Sequence, residues 1–276
     1  MFRPREGHDQ QILSSRLMIT PEPVSLRFVH DVFGNSVGIA RFSGAAETLT
    51  FESLVEMEHR PQPVADEDGM ADAASTLFPV TYSVEDAPDL LRSIEREHAD
   101  PEREIERWAR RFVNPRGETR VLDLLSGMTK AIHTEFAYAG RLEVGTQTPL
   151  ETLRLGTGSC RDFAVLMIEA ARSLNLAARF VSGYIYSSMR GAERVGGGHT
   201  HAWVRVYVPQ CGWVEFDPTN GIVGSTDLIR VASARDPRQA LPLSGTWIGD
   251  AGDALGMDVE VDVRVKRPPA TIRRVA

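Results

Sequence analysis

The spacing of hydrophobic and polar positions changes partway along the chain. Residues 11–60 consist of short runs typical of β-strands, separated by turn signals such as Gly34-Asn35, which can supply the positive backbone angles of a tight turn. The stretch from residue 60 to residue 76 is rich in Pro, Asp and Ala and has no period, which is typical of a loop or linker. We therefore predict an N-terminal β-rich accessory domain at residues 1–85 and a second domain at residues 86–276.

From residue 85 onward the hydrophobic spacing is that of helices. Pro88 and Pro101 are each placed to lie in the first turn of a helix, and residues 119–136 carry apolar side chains at three- and four-residue spacings. Three runs of strand-like composition follow, at residues 177–186, 199–208 and 213–217. A polar loop at 187–198 separates the first two runs, and a final strand is expected near Val259 to Val265. This order of helices and strands predicts an α+β fold.

Composition and charge narrow the class of protein. The chain has 276 residues, of which 42% are hydrophobic and 25% are charged, an ordinary globular composition. No apolar run approaches the roughly 18 residues that a membrane-spanning helix needs, and the polar opening residues lack the apolar run of a secretory signal. The formal net charge is −7, without the clustered Lys and Arg that bind phosphate backbones. We expect a soluble cytoplasmic protein that binds neither nucleic acid nor membrane; no pattern predicts its oligomeric state.

The two cysteines, Cys160 and Cys211, are too few for a disulfide scaffold or a Cys-rich metal site. Ser159 followed three residues later by Asp162 is a capping-box pattern, which places Cys160 at the first position of a helix. At that position the helix dipole and free N–H groups favour the thiolate, which is the nucleophilic form. A buried, packed cysteine is the alternative interpretation of Cys160. Cys211 is expected to be an exposed, unpaired thiol in a polar turn.

Strand alternation brings a histidine and an aspartate together. If Val208 pairs with Gly212, Asp217 lies diagonal to His201, roughly 7–8 Å away, within reach of a hydrogen bond between the side chains. A bulge in the turn would shift this pairing by one residue. With Cys160 as nucleophile, His201 as base and Asp217 orienting the ring, the three residues have the roles of a thiol acyl-transfer site.

Other candidate groups have simpler interpretations. His199 is expected to be a solvent-facing residue at the end of a loop. A zinc site is disfavoured, because H-x-H with one distant acid falls short of three or four convergent ligands. Tyr138 is either a donor to an oxyanion or a core tyrosine. We predict no metal and no cofactor.

Four consecutive segments, GTGSCRDFA, RFVSGYIY, HTHAWVRVYV and GWVEFDPTNG, resemble the bacterial transglutaminase-like superfamily. The segment DVFGNSVGIARFSGAAETLTFES is similar to the β-rich N-terminal region that accompanies this core in many bacterial members, so the resemblance extends from about Arg3 to Val265. It implies an N-terminal antiparallel β-sandwich-like domain, followed by a papain-related α+β core in which the cysteine-bearing helix packs on an antiparallel sheet. Relatives usually have further strands before the segment RPREGHDQ, so the N-terminal domain is expected to start short.

The resemblance also carries over roles, with the nucleophile at Cys160, the general base at His201 of H-A-W and the third member at Asp217 of F-D-P. It implies acyl transfer or hydrolysis at an amide bond of a peptide or protein substrate, through a thioester. A cysteine peptidase or amidase is favoured, because nothing marks a lysine-binding acceptor site or a calcium loop. The alternatives are a cross-linking transglutaminase, a non-catalytic binding module on the same fold, and a metal-dependent hydrolase that uses His199 and His201.

Overall fold

The N-terminal region is built from two antiparallel strand pairs. The computed structural model describes residues 1–61, 76–140, 145–187 and 194–266 of the chain. Strand β1 pairs with β4, and β2 pairs with β3. These strands span Gln10–Thr20 (β1), Ser25–His30 (β2), Ser36–Arg41 (β3) and Thr50–His59 (β4). In the turn between β2 and β3, Gly34 takes the predicted positive φ of 74°.

Five helices follow in the described part of the chain, interleaved with two short strand pairs. The helices are α1 (Ala87–Ile94), α2 (Glu104–Arg110), α3 (Val121–Glu135), α4 (Pro149–Leu155) and α5 (Cys160–Ser173). Strand β5 (Leu77–Phe78) pairs with β6 (Thr119–Arg120), and β7 (Ala137–Tyr138) runs parallel to β8 (Thr157–Gly158). Pro88 lies in the first turn of α1, as predicted.

Two helix starts differ from the sequence-based expectation. Helix α2 begins at Glu104 rather than near Pro101, because the Asp100 carboxylate accepts hydrogen bonds from the backbone N–H groups of Glu104 and Glu106. Helix α4 was not predicted at all. Its signal is present in the sequence as a capping box between Thr148 and Glu151, with a proline in the first turn.

The centre of the molecule is a five-stranded antiparallel sheet against which α5 packs. Its order is β12-β11-β10-β9-β13. The strands are β9 (Ala178–Ile185), β10 (Thr200–Val208), β11 (Gly212–Asp217), β12 (Ile222–Val223) and β13 (Leu228–Ala234). The even-numbered side chains of β10 from Ala202 to Val208 belong to the same buried apolar cluster as the inner side of α5. Burial of this cluster holds the start of α5 near the strands that carry the predicted histidine and aspartate.

The pairing of β10 with β11 follows the predicted register. Val208 lies opposite Gly212, and Val204 lies opposite Phe216, without a shift between them. Helix α5 ends as its sequence indicates, since Asn175 takes the left-handed conformation with a φ of 60°. Both results follow from short-range signals, a turn of hairpin length and a residue that tolerates positive φ.

The strand expected near Val259 to Val265 does not form, and the last strand of the sheet is β13. Residues 257–266 are described but contain no helix or strand. They contact the loop before β10, where the Val261 N–H donates to the Gly198 carbonyl at 2.9 Å, and β4, where Lys266 pairs with Glu56 at 3.0 Å. A segment with alternating apolar residues forms a strand only where it finds an edge to pair with. One edge of this sheet, β13, is met by the N-terminal region, and the strand at the other edge, β12, is only two residues long.

Two side-chain amides of the N-terminal region cover the outer edge of β13. The Gln10 carboxamide accepts from the Arg230 N–H at 2.7 Å and donates to the Arg230 carbonyl at 2.9 Å. The Asn35 carboxamide makes the same pair of bonds with Ser233, at 2.9 and 3.0 Å.

Most of the linker predicted between residues 60 and 76 lies outside the described part of the chain, which omits residues 62–75. The boundary near residue 85 stays a prediction.

Among the described residues, no helix combines the length and apolar character needed to cross a bilayer.

Candidate functional site

Cys160 is the first residue of α5, as the capping-box pattern predicts. The Asp162 carboxylate accepts hydrogen bonds from both the N–H and the hydroxyl of Ser159, each at 2.8 Å, and from the Gln147 N–H at 2.7 Å. These bonds fix the start of the helix and the segment before it. Cys160 is 8% exposed and makes no disulfide. Its thiol therefore lies at the positive end of a 14-residue helix dipole.

His201 and Asp217 meet as the register predicts. His201 Nε2 is 2.8 Å from Asp217 Oδ2. Both side chains are buried, with exposures of 1% and 0%. The imidazole stacks against the Trp203 ring at a centroid distance of 6.0 Å. Nδ1 is also buried and makes no hydrogen bond to the described residues, so it is the ring nitrogen left for the thiol.

The electrostatics of the site favour a charged histidine. Burial by itself lowers the pKa of His201, but the Asp217 carboxylate and the nearby Cys160 thiol together raise that pKa to about 10. Burial works to raise the pKa of Asp217, yet the charge of His201 and hydrogen bonds from Asn220 and Thr219 hold it below its usual value. At neutral pH the pair is therefore an imidazolium and a carboxylate.

A backbone turn before β10, here called the 194–198 turn, lies over the imidazole ring. A side chain at Gly196, whose φ is 90°, would place its Cβ 2.7 Å from His201 Nδ1. The first two residues of the turn, Arg194 and Val195, hold it in place through hydrogen bonds to other parts of the chain. Arg194 donates twice to the buried Asp227 Oδ2, at 3.0 and 2.6 Å, and the Val195 backbone bonds to the Asn220 carboxamide. Residues 188–193 of the polar loop lie outside the described part of the chain.

The other candidate residues lie apart from this pair. His199 is exposed, and its Nδ1 donates to the Val259 carbonyl at 3.0 Å. Cys211 has no disulfide and lies in the β10–β11 turn as expected, but it is half-buried and not exposed, and this burial raises its thiol pKa. Tyr138 is 44% exposed, so it is not a core tyrosine. Partial burial and then the charges of Cys160 and Asp162 raise its pKa, which locates it close to the start of α5.

Three features of the site escaped sequence reasoning. They are the glycine against the imidazole (Gly196), the asparagine that contacts Asp217 (Asn220), and the ion pair that anchors the turn (Arg194 with Asp227). Only Asn220 had a local signal, because it lies three residues after Asp217. The other two depend on which loop the fold brings over the ring. Within the described ranges, no group of three or more His, Cys, Asp or Glu side chains could hold a metal ion.

Comparison with family models gives two matches. Residues 106–218 match the transglutaminase-like superfamily, and residues 1–58 match the bacterial transglutaminase-like N-terminal region. The first match contains Cys160, His201 and Asp217. Both parts of the resemblance inferred from the sequence are therefore confirmed.

Individual relatives extend the similarity over most of the chain. Proteins of Mycobacterium bovis and Mycobacterium tuberculosis, both named as uncharacterized, are 29% identical over 94% of this chain and 84% of their own length. A crystal structure from Cytophaga hutchinsonii, provisionally named a cysteine protease, superposes with a TM-score of 0.63. It covers 86% of this chain and 75% of its own at 18% identity, which shows a shared fold.

Proposed function

Because the chain belongs to the transglutaminase-like superfamily, we propose that it cleaves an amide bond of a peptide or protein as a cysteine peptidase or amidase. The proposed machinery is a triad of Cys160, His201 and Asp217, working through a thioester. The observation that supports it most strongly is the buried 2.8 Å hydrogen bond between His201 Nε2 and Asp217 Oδ2. That bond fixes the ring and leaves Nδ1 for the thiol at the start of α5.

The proposed reaction begins from a thiolate and an imidazolium. The Cys160 thiolate attacks the amide carbonyl, and a tetrahedral oxyanion forms. As the C–N bond breaks, His201 gives its Nδ1 proton to the departing amine, which leaves an acyl thioester on Cys160. Water then attacks the thioester while His201 takes one of its protons, so that a carboxylic acid is released and the thiolate and imidazolium are restored. Asp217 keeps the ring oriented and its positive charge balanced in both halves.

The oxyanion would be stabilised by the start of α5. The first backbone N–H groups of a helix have no partner within it, and they point toward the position where the attacked carbonyl oxygen becomes negative. The Tyr138 hydroxyl is a second candidate donor, because the side chain is partly exposed and feels the charge of Cys160.

The proposal is tested by labelling and by substitution. Iodoacetamide is expected to modify Cys160 faster than Cys211 at neutral pH, since a thiolate reacts and a thiol does not; the two sites are resolved by peptide mass spectrometry. Cys160→Ala and His201→Ala should each reduce amide cleavage of a peptide library by at least about 1,000-fold. Cys211→Ala is the matched control and should keep full activity.

The products separate the possible outcomes. New amino termini or released ammonia support hydrolysis, whereas incorporation of a fluorescent primary amine into protein glutamine points to transglutaminase activity instead. If Cys160 is labelled no faster than Cys211, and Cys160→Ala leaves every amide-directed activity unchanged, then the chain is not a thiol enzyme. In that case the fold serves as a binding module.

A further inference from the structure

Asn220 occupies a junction between the acid of the proposed triad and the loop over the histidine. Its Nδ2 donates to Asp217 Oδ2 at 2.9 Å, the same oxygen that bonds His201, and its backbone N–H lies 3.3 Å from Asp217 Oδ1. Asn220 therefore contacts both carboxylate oxygens, one through its side chain and one through its backbone.

The same carboxamide is fixed from its other side by main-chain groups. Asn220 Oδ1 accepts from the Val195 N–H at 2.9 Å, and Nδ2 donates to the Val195 carbonyl at 3.1 Å. These bonds use both protons of Nδ2, one toward the carboxylate and one toward Val195. A carboxamide held by a backbone N–H and a backbone carbonyl has one orientation, because a flipped amide would face donor with donor and acceptor with acceptor.

We propose that Asn220 is a positioning residue for the His201–Asp217 pair, with the Val195 backbone as the support that fixes its carboxamide. This inference rests on the proposed function of the triad and adds a fourth residue to it. Among the described residues, Asn220 makes no hydrogen bond to the thiol or to the imidazole. It acts through Asp217, by holding Oδ2 at the angle and distance at which that oxygen meets His201 Nε2.

The physical effect is on how tightly carboxylate and imidazolium are coupled. The titratable groups that act on His201 are Asp217 from β11 and Cys160 from α5, and the ring also faces the uncharged Trp203 and Gly196. The one charged residue of the 194–198 turn, Arg194, is paired with Asp227. Loosening Asp217 admits water to the pair. Water weakens the attraction of the charges and also removes the cost of burying them, so the imidazole returns toward its ordinary titration range.

The test is the pH dependence of Cys160 alkylation by iodoacetamide, followed at the Cys160 peptide by mass spectrometry. The upper inflection of this profile reports deprotonation of His201. We expect Asn220→Ala to move it to lower pH by about one unit, and Asn220→Ser to move it in the same direction, because a serine side chain cannot reach Asp217 and Val195 together. Thermal unfolding of each variant shows whether it is folded; a role in stability alone would change the melting temperature and leave the inflection in place.

Asn114→Ala is the matched control. Asn114 Oδ1 also accepts a hydrogen bond from a backbone N–H, that of Arg116, but it lies in the segment between α2 and β6 and, in the described part of the chain, bonds neither to Asp217 nor to the 194–198 turn. Its profile should superimpose on that of the wild type; a shift equal to that of Asn220→Ala would mean that loss of an asparagine side chain away from the site moves the inflection as well, and would overturn the inference.

His201→Ala separates this inference from the function beneath it. If His201→Ala keeps the wild-type profile, the proposed thiol–imidazole pair itself is wrong. If His201→Ala removes the upper inflection while both Asn220 variants superimpose on the wild type, the triad stands and the role of Asn220 is refuted.

Discussion

At the scale of single residues, the site contains two buried charged groups, His201 and Asp217, although burial by itself disfavours the charged form of each. His201 and Asp217 are almost fully buried, and desolvation alone would neutralise both. Each instead keeps its charge because the other lies 2.8 Å away and because Asn220 and the Thr219 N–H supply further donors to the carboxylate. A buried pair of this kind is costly to break from one side, since the remaining charge has no partner.

This coupling predicts a specific dependence of stability on pH. The pKa of His201 rises from 6.5 in the unfolded chain to about 10 in the folded protein, so the folded state holds the proton more tightly. The stabilisation is fully present below pH 6.5 and is lost as the pH rises through about 10. His201→Gln keeps a donor to Asp217 but does not titrate. The melting temperature of the wild type should therefore fall more steeply than that of His201→Gln across this window; parallel curves would show that the histidine is not coupled.

At the scale of elements, three local structures converge on the site. The Ser159–Asp162 cap sets the first residue of α5, the β10–β11 hairpin sets the diagonal between His201 and Asp217, and the 194–198 turn closes over the ring. The first two are specified by short-range sequence signals. The turn is different, because its position depends on bonds to Asn220 and Asp227, which are more than 20 residues away along the chain.

The close approach of this turn to the histidine predicts different effects for two neighbouring glycines. Gly196 and Gly198 both have positive φ, 90° and 83°, so alanine strains the backbone similarly at either. A Cβ at Gly196 would lie 2.7 Å from His201, whereas a Cβ at Gly198 has no atom of the described residues within 4 Å apart from its chain neighbours. Gly196→Ala should lower amide cleavage roughly 10- to 100-fold, since misplacing a reacting group by about 1 Å has that effect.

Gly198→Ala is the control for this comparison and should retain near wild-type activity in the same assay. Equal losses in both variants would attribute the effect to backbone strain and not to contact with the ring.

At the scale of the whole molecule, polar side chains join the N-terminal region to the sheet. Arg230 of β13 donates to Asp9 at 3.1 Å and to Glu215 of β11 at 2.6 Å, and all three side chains are less than 10% exposed. Beside this ion cluster, the carboxamides of Gln10 and Asn35 bond to the β13 backbone as a neighbouring strand would. Together with the Arg5 N–H, which donates to the Arg230 carbonyl, these carboxamides occupy part of the β13 edge, and an occupied edge is protected from pairing with other chains.

Removal of one such amide should destabilise the sheet edge. Gln10→Ala leaves the buried Arg230 N–H without its partner, while the Arg230 carbonyl keeps the hydrogen bond from the Arg5 N–H. We therefore expect a loss of about 1–3 kcal/mol in unfolding free energy. Gln11→Ala is a matched control, because Gln11 is exposed on the neighbouring position of β1. Urea denaturation gives the two free energies, and hydrogen exchange at Arg230 reports the edge directly; equal stability of the two variants would show that the amide does not hold it.

Sequence reasoning predicted the parts of this protein that local patterns specify. The capping box placed Cys160, the hairpin spacing paired Val208 with Gly212, and strand alternation then put Asp217 within reach of His201. It missed α4, began α2 at the wrong residue and placed a last strand near Val259 to Val265. Helix α4 has a capping box in its sequence that was not interpreted as a helix start. The start of α2 is set by the Asp100 carboxylate, which accepts from the Glu104 N–H.

The last of these errors shows where the sequence alone stops. An alternating pattern indicates that a segment can be a strand, but a strand needs a free sheet edge to pair with. The outer edge of β13 is already bonded to the side chains of Gln10 and Asn35. In the same way, the sequence by itself identified Cys160, His201 and Asp217 as the candidates for nucleophile, base and acid. Only the tertiary structure decided that Gly196 lies against the imidazole and that the Val195 backbone holds Asn220, because the loop that carries Gly196 and Val195 is positioned by long-range packing and not by a local signal.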